Sequence, residues 1–110
     1  MTKQKRTVFY LSDRTGITAE TLGHSLLTQF DGIEWEIINV PFLDDLEKVQ
    51  AVLVQINHAT EYDGHRPLVF STLLKPEILE VIKRTNCRVF DFFETFINPI
   101  EQELNQPFAR

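Results

Sequence analysis

A single cysteine, Cys87, stands in 110 residues, so no internal disulfide can brace the chain. That usage fits a reducing cytoplasm. Histidine is scarce as well. His24, His58 and His65 show no metal-ligand spacing with one another or with Cys87, and no metal site is expected. Beyond Lys3, Lys5 and Arg6 there is no dense basic run, and the net charge is −5, which argues against a nucleic-acid surface. Long apolar runs are missing too. VFYLS runs straight into Asp13; it is too short for a signal-peptide core, and no stretch approaches a membrane span. The Walker pattern G-x-x-x-x-G-K-[ST] is absent, Gly16 and Gly23 do not make G-x-G-x-x-G, and no nucleophile elbow G-x-S-x-G occurs.

What is present suits one globular domain with one core: 43% hydrophobic and 25% charged residues, with nine phenylalanines that predict an aromatic-rich interior. The short β-branched and aromatic run TVFYLS, residues 7–12, reads as a buried strand. From Thr15 to Phe30 the period changes. Ala19, Leu22, Gly23, Leu26 and Phe30 share one helical face, and Asp31-Gly32 is the expected stop. His24 lies one residue off that face, at its boundary. IEWEIINV, residues 33–40, alternates and then turns apolar, as an outer strand entering the core would. Asp44 with Glu47 resembles a capping box for a helix reaching about Ala59. PLVFST, residues 67–72, is a third strand. Lys75-Pro76-Glu77 opens a third helix. RVFDFF is a fourth strand ending near Asp91, and FETFINPIEQEL a last helix broken or restarted at Asn98-Pro99. The order βαβαβαβα predicts an α/β fold: an open, three-layer sheet of about four parallel strands with helices on both faces, flavodoxin- or Rossmann-like. Cys87 is read as a small buried residue, and the Phe90, Phe92, Phe93, Phe96 set most simply as core, with part of it able to face a missing domain.

Open parallel sheets bind ligands beyond the C-terminal ends of their strands. Those ends carry Ser12, Asp13, Arg14 and Thr15 after the first strand, Ser71 and Thr72 after the third, and Asp91 after the fourth. SDRTGITAE, residues 12–20, is the leading candidate, because it enters a helix N-terminus whose free N–H groups favour an anion. Gly16 lets a ligand approach the backbone, Thr15 and Thr18 offer hydroxyls, and Arg14 can fork onto a phosphate. A second reading uses the same residues for structure. Asp13 or Thr15 caps the helix, Gly16 permits the turn and Arg14 faces water. The residues alone leave both readings open.

RTVFYLSDRTGITAETLGHSLLTQF resembles the opening of the phosphoenolpyruvate synthase regulatory proteins, close relatives of the pyruvate, phosphate dikinase regulatory proteins. RPLVFSTLLKPEI and DFFETFINPIEQEL resemble two further segments, so the likeness spans about residues 6 to 104. The resemblance implies a bifunctional regulator. It phosphorylates a threonine of its target with ADP as donor, and removes that phosphate by phosphorolysis with inorganic phosphate, releasing pyrophosphate. The target is phosphoenolpyruvate synthase or pyruvate, phosphate dikinase. Members are longer, with a P-loop in a C-terminal half, so this chain looks like the N-terminal domain. It is then expected to hold no cofactor itself, ADP and phosphate belonging to the full-length protein. Its implied partners are the target enzyme, the missing P-loop domain and a second copy in a homodimer. The family's loop usually reads S-D-G-T-G or S-D-G-T-A. Ser12, Asp13, Thr15, Gly16 and Thr18 match, while Arg14 replaces a glycine and either strains a left-handed backbone, obstructs a ligand or adds a phosphate contact. An interaction module without catalysis, and a stand-alone nucleotide- or phosphate-binding domain, are the competing expectations.

Overall fold

A computed structural model describes residues 3–109. Its elements follow in the order β1 (Gln4–Leu11), α1 (Ile17–Leu27), β2 (Ile33–Val40), α2 (Leu46–Asp63), β3 (Leu68–Ser71), α3 (Pro76–Lys83) and β4 (Arg88–Asp91). A π-helical segment (Phe93–Ile97) then runs into α4 (Asn98–Leu104). All four strands are parallel, in the order β2-β1-β3-β4. The α/β expectation holds, with helices flanking one sheet.

Alternation along β1 divides the core. Phe9 and Leu11 point to one face and join Val49, Val52 and Ile56 of α2 and Ile78 and Ile82 of α3. Val8 and Tyr10 point to the other, with Ala19 and Leu27 of α1 and Phe70 of β3. β1 is buried on both faces, which is why it reads as an unbroken apolar run. β2 and β4 are the two edges, and the later β2 residues Ile38 and Val40 pack against the α2 side.

Several boundaries differ from expectation. β1 begins at Gln4 rather than residue 7, because its first residues pair with β2 from Gln4↔Ile33 onward. α1 stops at Leu27, well before Asp31-Gly32. The hydroxyls of Ser25 and Thr28 bond to the carbonyls of Thr21 and Ser25 at 3.0 Å each, a local alternative to the helical ladder. The cap of α2 is Asp45, whose Oδ1 accepts from Lys48 N at 2.8 Å; Asp44 instead pairs with Lys48 Nζ at 2.9 Å. α2 runs past Ala59 to Asp63, where Gly64 closes it in the left-handed conformation. The last helix changes character at Asn98, as expected: the Asn98 N–H bonds back five residues to Phe93, and α-helix follows.

The aromatic-rich interior is also only half right. Phe9 and Phe70 are buried, but Phe30 is 62% exposed and Leu26 is 42% exposed. Phe90 and Phe96 are exposed as well, and Phe92 and Phe93 only partly covered. These rings line surface grooves. Cys87 is buried as expected, and burial pushes its thiol up.

Candidate functional site

The crossover through α1 carries the chain from β1 to β2 on one side. The crossover through α2 carries it back to β3 on the other. The crossovers therefore diverge between β1 and β3, and the loops at the C-terminal ends of those strands frame a crevice. Its volume is about 470 Å³.

The loop after β1 is held by backbone bonds. Ser12 N donates to Val40 O at 3.2 Å, Leu43 N donates to Ser12 O at 2.8 Å, and Phe42 N donates to Arg14 O at 2.8 Å. Arg14 N donates to Ser12 Oγ at 3.0 Å, so the Ser12 hydroxyl turns the chain as it leaves the sheet. On the other flank Thr72 N donates to Leu11 O at 3.0 Å. The crevice floor is thus tied to β1, β2 and β3 together. Phe42, which closes this lattice, is itself left-handed with φ 56°.

The capping reading of Asp13 and Thr15 does not hold. The N-cap of α1 is Gly16, at φ 85°, and no side chain caps the helix. Glu20 N donates to Gly16 O at 3.0 Å, the first helical bond, so the N–H groups of Ile17, Thr18 and Ala19 have no partner within the helix. An alanine at position 16 would be strained by that φ, and its Cβ would sit 3.2 Å from Asn39 Oδ1. Arg14 carries no left-handed strain, since Phe42 and Asn105 are the non-glycine residues of positive φ among those described.

Ser12, Asp13, Arg14, Thr15, Gly16, Thr18 and Thr72 all line the crevice. Ser12 is buried, Asp13 half-buried, and Arg14, Thr15 and Thr18 exposed. Neither an ion pair nor a hydrogen bond engages the Arg14 guanidinium among the described residues. The crevice is therefore lined by the start of α1, where Ile17 and Thr18 keep free amides, by three threonines and by one guanidinium, opposed by one carboxylate. Donors prevail, which suits an anion.

Ser71 and Asp91 lie apart from it. They are register partners at the ends of β3 and β4, and both are buried. Asp91 Oδ2 accepts from Glu94 N at 3.0 Å, capping the helical segment that follows, while Oδ1 is buried without a partner. Burial pushes the Asp91 carboxyl above the usual carboxylate range, against the pull of the Glu94 amide. The far wall of the crevice is apolar: Leu74, Phe92, Phe93, Ile97 and Phe108. Sequence reasoning missed that wall. The available signal was the cluster of rings after Asp91, which read as core. No group of three His, Cys, Asp or Glu among the described residues could hold a metal, and no helix there is long and apolar enough to cross a membrane.

Known proteins align with this arrangement over nearly its whole length. The family described as kinase/pyrophosphorylase matches residues 8–110. A relative from Nitrosomonas europaea, named "Putative phosphoenolpyruvate synthase regulatory protein", is 60% identical over 106 residues, covering 96% of this chain and 38% of the relative. Relatives of the same name from Marinobacter nauticus and Alkalilimnicola ehrlichii are 54% and 52% identical, over 92% and 97% of this chain. The chain spans less than two fifths of the length of these relatives. The match extends from the middle of β1 through the crevice loop to the last helix, and the chain belongs to the kinase/pyrophosphorylase family.

Proposed function

We propose that this chain is the N-terminal domain of a bifunctional regulator of phosphoenolpyruvate synthase, and that the crevice at Ser12–Thr18 receives a phosphate group. In the complete protein the regulator uses ADP to phosphorylate a threonine of the synthase, and inorganic phosphate to remove it. The observation that carries the reading is the uncapped start of α1. The start of α1 that no side chain caps, Thr15, Thr18 and the unpaired Arg14 line one crevice at the point where the crossovers diverge. An apolar wall from Phe92 to Ile97 suits the side-chain atoms of a phosphothreonine segment better than a free ion.

Phosphoryl transfer needs a cradle for the β- and γ-phosphates and a group that neutralises spreading charge. The sequence holds no G-x-x-x-x-G-K-[ST], so this chain alone is expected to transfer no phosphate. Its role is to bind and orient. Two measurements test this. Incubation of the chain with ADP and the synthase should give no threonine phosphorylation. A phosphothreonine peptide should shift the amide resonances of Gly16 to Ala19, and Arg14→Ala should weaken that binding about tenfold, the worth of one charge-assisted hydrogen bond. Turnover by the chain alone would overturn the first statement, and unmoved amides the second.

A further inference from the structure

The two faces of the sheet are covered unequally. Four strands at about 4.8 Å spacing span roughly 14 Å, and a helix is about 10 Å wide, so a face needs two helices. α2 and α3 supply two on one side. α1 is alone on the other, against β1 and β3. Parallel sheets are normally covered on both faces. Here β3 and β4 leave Leu68, Phe70 and Phe90 along an apolar groove of about 410 Å³, bounded by Leu26 and Phe30 on one side and Phe96 on the other. Phe70 and Phe90 stack with centroids 5.5 Å apart, which fixes a flat apolar floor. The exposure of Phe30, Leu26 and Phe96 (62%, 42% and 41%) is concentrated on its rims.

We infer that this groove is the seat of an amphipathic helix from the part of the family's length that this chain does not span. The occupant follows from two observations. The groove lies on the face where α1 packs alone, between α1 and Phe96, where a second helix is lacking. The relatives also carry more than half of their length beyond what aligns here, enough to provide it. The inference is independent of the transfer chemistry, since the groove lies on a sheet face and the crevice at the strand ends.

The test compares this chain with a chimaera in which it replaces the matching part of the Nitrosomonas europaea relative. A Leu26→Cys thiol should react with a maleimide at the rate of an exposed thiol in this chain, and at least tenfold more slowly in the chimaera. Val54→Cys, on the exposed side of α2, should react equally in both. Equal rates at Leu26→Cys overturn the proposal, and so does equal slowing at both positions. Protection that appears in the 110-residue chain and grows with its concentration also overturns it, in favour of a second copy. Hydrogen exchange on the natural relative gives a second readout that needs no chimaera. Its segments aligned with residues 22–30 and 90–96 should exchange at least tenfold more slowly than those of this chain, and unchanged exchange refutes the seat.

Discussion

Gly23→Ala should destabilise the domain, although alanine is the better helix former. Gly23 sits in the middle of α1, buried against β1. A Cβ there would lie 2.3 Å from Tyr10 Cε1 and 2.9 Å from Cζ. Carbon atoms in contact rest at about 3.5–4.0 Å, so helix and ring must separate by roughly 1 Å or more. Tyr10 cannot yield. It is 1% exposed on the second strand of the sheet, and its ring abuts Phe70 at a centroid distance of 6.0 Å. Overpacking of this kind costs about 1–3 kcal/mol, and a rigid ring places the effect near the upper end. The better helix propensity of alanine returns about 1 kcal/mol. The net loss is about 2 kcal/mol. With a urea slope of about 1–3 kcal/mol per molar, the unfolding midpoint should fall by roughly 1 M with the slope unchanged. Tyr10→Leu combined with Gly23→Ala removes the obstacle, and the double-mutant cycle should show a coupling of about 1 kcal/mol or more. An unchanged or raised midpoint for Gly23→Ala, or a cycle with no coupling, would refute the claim that close approach demands glycine here.

Two further outcomes follow from single side chains. Asp45→Ala should cost about 1 kcal/mol of stability through loss of the α2 cap, whereas Asp44→Ala should change little because its pair with Lys48 is exposed; urea unfolding showing the reverse ranking would overturn the assignment. Asp91 binds its proton more tightly in the folded than in the unfolded chain, so it contributes stability at low pH that is lost as pH rises from the ordinary carboxylate range through its raised value. Asp91→Asn keeps an acceptor for the Glu94 amide and removes the buried charge. The variant should be at least as stable as the parent at pH 7 and lose that advantage at pH 4; a clear loss at pH 7 would sink the reading.

How far the sequence anticipated this molecule depended on the range of the interactions involved. The strands were legible because β1 and β3 are buried on both faces and show it as unbroken apolar runs, Val8–Leu11 and Val69–Phe70. The start of α3 was legible because Pro76 and Glu77 act within their own turn. Strand order was not, because β2 and β3 both pair with β1 across long loops, and nothing local distinguishes the edge from the centre. Leu26 and Phe30 failed for a related reason. Periodicity identifies the apolar face of a helix, but it does not say whether that face meets a partner within these residues.

The SDRTG loop separates local chemistry from local geometry most clearly. Asp13 and Thr15 have the composition of a cap, and either would serve if α1 began one or two residues earlier. Gly16 prevents that. At φ 85° it takes the capping position itself, against Asn39 of β2, and contributes no side chain to fill it. The first amides of α1 are therefore left without a cap, and Arg14, Thr15 and Thr18 are left to face the crevice instead. A glycine that merely permitted a turn would leave the neighbouring hydroxyl free to cap. This one displaces the helix start past them, and that displacement leaves the first turn of α1 uncapped, as the proposed phosphate site requires.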